Sequence, residues 1–295
     1  KGKLFSYNME NILKTIESDI QAGAKEIWLT SQDCASYGLD MDKQEKLPEL
    51  MKQILGLNHR FKLRLGMMNP NHLYPILNEM IETYHHPKIY KFLHIPIQSA
   101  SNKILKDMNR KYKIELAEQI IMKFKKEFTD ITIATDIIVG YPTETEEDFQ
   151  KNLEFIKKFK PDVLNLSKFS SHKQTPAGKL IPLDKEIINK RTSQLMELHR
   201  QTSQNNKLKY KEKEIKVFVN VKVPGVSKGT LSMLQNSKEN FEHSKTKIPN
   251  IYEARDDNYN IILIKSKDKS LLGKTLKAKI IQIGVHHMLA EEKLN

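Results

Sequence analysis

Five segments of the chain carry side chains that could hold a small polar ligand: Ser31 to Asp33, Arg64 to Pro70 (RLGMMNP), His94 to Ser101 (HIPIQSAS), Asp136 to Glu146 (DIIVGYPTETE) and Lys168 to Pro176. Arg64 can fork onto a carboxylate, Gln32 and Gln98 can each donate and accept, and Ser99 adds a hydroxyl. Gly140 lets the backbone approach a ligand closely. Pro142 stiffens the turn before a helix that Thr143 or Thr145 can cap, with Glu146 or Asp148 three residues on. Such a set suits a zwitterionic, purine-bearing ligand. Any barrel rim offers polar groups, however, so the elements that place these residues matter as much as the residues themselves.

Each segment follows an apolar, β-rich run: KEIWLTSQ, FKLRLGMM, KFLHIPIQ, ITIATDIIVGY and VLNLSKF. Between the runs lie stretches with helical periodicity. In NILKTIESDIQAG, Ile12, Ile16 and Ile20 share a face and Gly23 is a stop; in EEDFQKNLEFIKKF, Phe149, Leu153 and Ile156 form one stripe. Strand and helix in alternation predict parallel strands with right-handed crossovers, and the polar segments then gather at the carboxyl ends of the strands, where such folds bind ligands. Repeats of roughly 30 to 40 residues favour a partial (βα) barrel over an open sheet. The first element, Tyr7 to Gly23, reads as a helix, so the barrel is expected to lack its first strand and first loop in this chain.

After about residue 206 the texture changes. A Lys-rich connector, KLKYKEKE, leads to KVFVNVKV, a polar stretch around residues 232 to 250, NYNIILIKS, a turn at Gly273-Lys274 and TLKAKIIQIG, which together predict a small all-β barrel. We therefore divide the chain into 1–206 and 207–295. The formal net charge is +13, and from residue 209 onward 17 Lys and Arg face 10 Asp and Glu, so more than half of the excess lies in the small domain. That makes it the better candidate to grip phosphates of a nucleic acid, although a Lys-rich solvated surface would read the same way. With 39% hydrophobic residues the chain can fill a sizeable core, which argues against disorder. No apolar run reaches the roughly 18 residues needed to span a bilayer, and the single cysteine allows no internal disulfide. The expectation is a cytoplasmic protein with no membrane partner.

Read in order, ASYG, EIWLTSQD, LRLGMMNP, FLHIPIQSAS, LKDMNRKY, ITIATDIIVGYPTETEEDF and TPAGKL resemble the radical S-adenosylmethionine methylthiotransferases. The pairing of EIWLTSQD with LRLGMMNP favours the archaeal and eukaryotic branch that acts on N6-threonylcarbamoyladenosine in tRNA. The tail, with YEARDDNYNIILI and LLGKTLKAKI, resembles a TRAM domain. The resemblance implies conversion of that nucleoside, at position 37 of the anticodon stem-loop, to its 2-methylthio derivative. It implies S-adenosylmethionine, two [4Fe-4S] clusters and an electron donor that reduces them, in a monomer. By family position Gln32 would meet the amino group of the cofactor, Arg64 its carboxylate, and Gln98 with Ser99 the ribose or methionine end. Asp136, Ile138, Gly140 and Tyr141 would frame its adenine.

The same resemblance exposes a departure. The family holds its clusters with six cysteines, three of them on a C-x-x-x-C-x-x-C loop, and none is present here; the barrel triplet is expected just upstream of Lys1. Cys34 falls where the family tolerates other small residues, and one thiolate cannot hold a four-iron cluster, so no catalytic or metal-binding residue is assigned in this chain. Tyr37, Phe169 and His172 stand where a splayed base could stack, but His172-Lys173 replaces the Arg-Pro that relatives often carry. The pairs His85-His86 and His286-His287 are read as strand neighbours pointing to opposite faces, hence poor chelators. Met67, Met68 and Met80 read as core filling, and Lys125-Lys126 and Lys157-Lys158 as solvated helix faces.

Two other readings remain open. The polypeptide could be an RNA-binding remnant without catalysis, or a methylthiotransferase for isopentenyladenosine. An unrelated hydrolytic or aldolase-like barrel is disfavoured, because no Schiff-base lysine or carboxylate pair stands at the rim in a convincing setting.

Overall fold

The computed structural model describes residues 2–171, 175–223, 250–266, 268 and 270–292. These fall into two units, 1–206 and 207–295.

In the first unit strands and helices alternate. The strands are β1 (Glu26–Leu29), β2 (Lys62–Leu65), β3 (Phe92–His94), β4 (Thr132–Val139) and β5 (Val163–Lys168). The helices are α1 (Met9–Gln21), α2 (Leu39–Asp42), α3 (Leu47–Gly56), α4 (Pro70–Leu73), α5 (Leu77–Tyr84), α6 (Asn102–Asp107), α7 (Ile114–Glu127), α8 (Glu146–Phe159) and α9 (Lys185–Lys207). All strand pairings here are parallel. β1 and β2 form one sheet and β3, β4 and β5 another, and a parallel bridge from Leu63 to Ile89 joins the two just ahead of β3. Strand order therefore follows chain order.

One face of the strands is covered by helices. Ile27, Leu63, Leu93, Ile133 and Ile137 pack with Ile16 and Ile20 of α1, Leu50 and Ile54 of α3, Ile120 and Phe124 of α7, and Phe149 and Ile156 of α8 in a single core. Each of these side chains contributes about 2 kcal/mol by leaving water. The stripe of α8 extends beyond the periodicity argument: Asn152, Phe155 and Phe159 are buried, while Leu153 is only half-buried.

Helix ends follow local chemistry. Asn8 caps α1 by accepting from the Glu10 N–H at 2.8 Å, so the first helix starts two residues later than the sequence suggests. Of the two threonines available to cap α8 it is Thr145, in a reciprocal box with Asp148. Asp148 also accepts from Ser101 Oγ at 2.6 Å and Lys103 Nζ at 2.9 Å. Burial works against its charge, but these donors outweigh it and hold the carboxyl well below its ordinary range.

Two expectations need correction. His85 and His86 do not lie on a strand: they follow α5, with His85 as its C-cap, and His286 and His287 precede the last strand in a bend. Lys126, Lys157 and Lys158 are exposed as expected, whereas Lys125 is half-buried. Lys125 Nζ donates to the Phe159 carbonyl at 2.5 Å, and Lys158 pairs with Glu118 at 2.9 Å, so both tie α7 to α8.

The second unit is a closed barrel of β6 (Glu214–Lys222), β7 (Asn250–Arg255), β8 (Ile261–Ser266), β9 (Thr275–Ile283) and β10 (Met288–Glu292). Its strands run in the order β10-β8-β7-β6-β9, antiparallel except for β8 with β10. Val217, Val219, Tyr252, Ala254, Ile262, Ile264, Ala278 and Ile280 fill the interior. Most of the polar stretch around residues 232 to 250 lies outside the described residues. No helix among the described residues is long and apolar enough to cross a membrane.

Candidate functional site

The uncovered face of the first unit carries a line of polar and aromatic side chains, with a contribution from every strand. Trp28 on β1 stands opposite Arg64 on β2 and is 59% exposed. The Arg64 guanidinium lies 5.8 Å from the Trp28 ring and 4.9 Å from Phe92 on β3, a cation–π sandwich that fixes the arginine's direction. His94, two residues after Phe92 and so on the same face, donates from Nε2 to Oδ1 of Asp136 on β4 at 3.0 Å. Asn165 on β5 stands opposite Asp136 and donates its amide to the same Oδ1 at 2.7 Å. Burial opposes the Asp136 charge, yet these two bonds hold its carboxyl below the ordinary value. Asp136 is thus a fixed carboxylate on an accessible face.

Beside Asp136, the segment that follows β3 turns tightly at Gln98, where the Ser99 N–H donates to the Ile97 carbonyl at 2.8 Å. Gln98 adopts a left-handed conformation, φ 64°, uncommon for a residue other than glycine. In that conformation its N–H donates to the Asp136 carbonyl and its own carbonyl accepts from the Ile138 N–H, each at 2.8 Å. Gln98, Asp136 and Ile138 therefore form one rigid group of half-buried side chains. Ser99 differs: it is fully buried, and its hydroxyl accepts from the Ser101 N–H at 3.2 Å.

Gly140 and Tyr141 continue from β4. Gly140, with φ 83°, is buried, and Tyr141 is 5% exposed with its hydroxyl on the Asp107 carbonyl at 2.9 Å. Phe169 packs edge-on against Tyr141 at 5.1 Å. His172 lies outside the described residues.

The exposed Gln32 follows β1, and its neighbour Asp33 anchors the loop. Asp33 Oδ1 accepts from the N–H groups of Ala35 at 3.2 Å and Asn69 at 2.9 Å, while Oδ2 meets His72 Nδ1 at 2.6 Å. The hydrogen bond to Asp33 outweighs partial burial and raises the His72 pKa. This clamp joins the loop after β1, which carries Gln32, to the segment after β2. Tyr37 is half-buried, its hydroxyl on the Tyr7 carbonyl at 3.0 Å.

Cys34 is buried 2.9 Å from where a Cβ on Gly66 would sit, and burial pushes its thiol up, so it stays protonated. Among the described residues no three His, Cys, Asp or Glu side chains gather to hold a metal ion. The residues present do not fit an iron–sulfur cluster, whereas the face from Gln32 to Asp136 offers the donors and acceptors that a nucleoside with an amino-acid tail would need.

Sequence reasoning singled out Asp136 but not its two partners, His94 and Asn165. His94 was visible in HIPIQSAS, but only strand order brings it to a residue 42 positions away.

Comparison with known proteins accords with this geometry. The family model described as the Radical SAM superfamily matches residues 1–156. The chain is 42% identical over 219 residues, 74% of its length and 51% of the relative's, to an Archaeoglobus fulgidus protein named probable threonylcarbamoyladenosine tRNA methylthiotransferase. It is 33% identical over 290 residues, 98% of its length and 47% of the relative's, to the Xenopus laevis threonylcarbamoyladenosine tRNA methylthiotransferase. The human protein of that name is 30% identical over 290 residues, covering 98% of this chain and 45% of the relative. The chain spans about half the length of the curated relatives it matches.

Proposed function

This chain belongs to the radical SAM superfamily, and from that premise we propose that it is the cofactor-orienting and tRNA-binding part of a threonylcarbamoyladenosine tRNA methylthiotransferase. Family membership implies S-adenosylmethionine and a [4Fe-4S] cluster. Bound together, these supply the radical chemistry; the residues of this chain bind, orient and shield. The chain has one cysteine in 295 residues, so the ligands of a cluster, and of the second cluster that this reading includes, come from outside it.

The observation that carries the reading is the carboxylate of Asp136, locked by His94 and Asn165 and joined through its own backbone to Gln98 and Ile138. A fixed acceptor on an accessible face suits the amino edge of adenine or a ribose hydroxyl, with Ile138 as an apolar flank. Gly140 and Tyr141 complete the adenine side. Arg64, braced by two rings, would take the carboxylate of the methionine tail, and Gln32 its amino group. Ser99 would act through its backbone N–H, which donates to the Ile97 carbonyl across Gln98, since its hydroxyl is buried.

In this reading residues 1–206 form a partial barrel and residues 207–295 a TRAM-like module that holds the anticodon stem-loop. The outer side of the β6–β9 pair supports the second assignment. Lys216 and Lys277 stand directly opposite each other there, both exposed and, among the described residues, without an ion-pair partner. Like charges so placed repel, and a phosphate between them removes the repulsion. The reading includes an electron donor, a monomer and a cytoplasmic location.

Mass spectrometry of tRNA nucleosides from cells with and without the gene tests the proposal. Loss of the methylthio group from threonylcarbamoyladenosine is the expected result. Loss from isopentenyladenosine would move the protein to another branch, and no loss at all would leave an RNA-binding role without catalysis.

A further inference from the structure

Helix α9 docks by polar contacts. Within the first unit, the residues it buries at four-residue spacing are Arg191, Leu195, His199 and Ser203, only one of them aliphatic. Arg191 is 5% exposed, and its Nη1 donates to Oε2 of Glu144 at 2.8 Å and to the Glu144 carbonyl at 3.1 Å. Its Nη2 reaches Glu146 at 3.2 Å, and its guanidinium lies 5.3 Å from the Phe149 ring.

Glu144, 2% exposed, passes this hold back to the loop. Its Oε2 also accepts from the Gly140 N–H at 3.0 Å, and its own N–H donates to the Tyr141 carbonyl at 2.8 Å. One turn earlier on the same helix, Ile188 fills the space in front of Gly140: a Cβ there would lie 2.7 Å from Ile188 Cγ1. One helix face therefore grips the loop from 140 to 144 at both ends. Burial raises the Glu144 pKa, and the Gly140 N–H and the Arg191 guanidinium work against that rise.

We propose that Arg191 is the positioning residue of the adenosyl-binding loop: by holding Glu144 it fixes Gly140 and Tyr141 at the end of β4, so ligand affinity is set from α9. The inference rests on the reading that Gly140 and Tyr141 frame an adenosyl ligand.

The test uses Arg191→Gln and Arg191→Lys in this chain, with Arg200→Gln as a control, since Arg200 is exposed on the same helix and, among the described residues, pairs with Glu197 and Gln204 alone. Amide exchange at Gly140 reads the lock, and calorimetry with S-adenosylhomocysteine reads affinity. Arg191→Gln should speed Gly140 exchange and weaken binding, each by about tenfold or more, with Arg191→Lys intermediate and Arg200→Gln unchanged. Wild-type affinity in Arg191→Gln, or a Gly140 amide as protected as in the wild type, overturns the proposal. Should Arg191→Gln fail to fold, the double variant Arg191→Met with Glu144→Gln removes both buried charges together, and the same two outcomes decide. If the unaltered chain binds no S-adenosylhomocysteine, the functional reading fails, while Gly140 exchange still decides the lock.

Discussion

His94 and Asp136 lie 42 residues apart in sequence, yet the imidazole Nε2 and the carboxylate Oδ1 meet at 3.0 Å, because β3 and β4 run side by side in parallel with His94 level with Ala134. The bond points the carboxylate at the accessible face and keeps it ionised. Its consequences can be measured without any ligand.

Replacing His94 by Phe removes one of the two bonds that hold Asp136 below the ordinary carboxylate value. The loss should cost about 1–3 kcal/mol at neutral pH. A lowered carboxyl pKa contributes stability that is fully present above the unfolded value and lost as the pH falls through the folded one. The unaltered chain should therefore lose stability on acidification from about pH 5 downward, and His94→Phe should lose less over that interval. Thermal unfolding of both proteins across that range checks it; parallel curves would exclude the bond as the source.

Gly140→Ala should destabilise the first unit by about 2–3 kcal/mol. The φ of 83° costs roughly 1 kcal/mol for a residue with a side chain, and the new methyl meets Ile188. Adding Ile188→Ala should recover the packing part and leave the backbone part. Denaturant unfolding of the single and double variants separates the two; simple additivity would mean that the contact is not the cause.

Lys277→Glu should slightly raise the thermal midpoint of the barrel and weaken tRNA binding. It replaces a repulsive cross-strand pair with an attractive one and removes a phosphate contact. The slope of binding against salt should fall by about 1. Binding titrations with tRNA at several salt concentrations supply the measurement, and an unchanged slope would place RNA contact elsewhere.

Much of the scaffold was legible because local pattern and tertiary need agree there. The β-rich runs became β1 to β5, Ile16 and Ile20 of the first helix are buried, and a threonine with an acid three residues on does cap α8. The rest depended on spatial order. Nothing local says that His94 and Asn165 converge on Asp136, or that Gln98 takes a positive φ to bridge both sides of it. Gly140 was read as room for a ligand, yet Ile188 occupies the space beside it. Helix α9 escapes the hydrophobic pattern because it docks through Arg191, His199 and Ser203. Strand β10 had no clear alternation to announce it, and its parallel pairing with β8 needs barrel closure.

Ultraviolet crosslinking of S-adenosylmethionine, isotopically labelled in the adenosyl group, to this chain tests the central claim most directly. The account predicts label in the peptides that carry Gln98 or Asp136 to Tyr141, removed by excess S-adenosylhomocysteine and reduced by Asp136→Ala. Label confined to residues 207–292, or label that competitor does not displace, would contradict it.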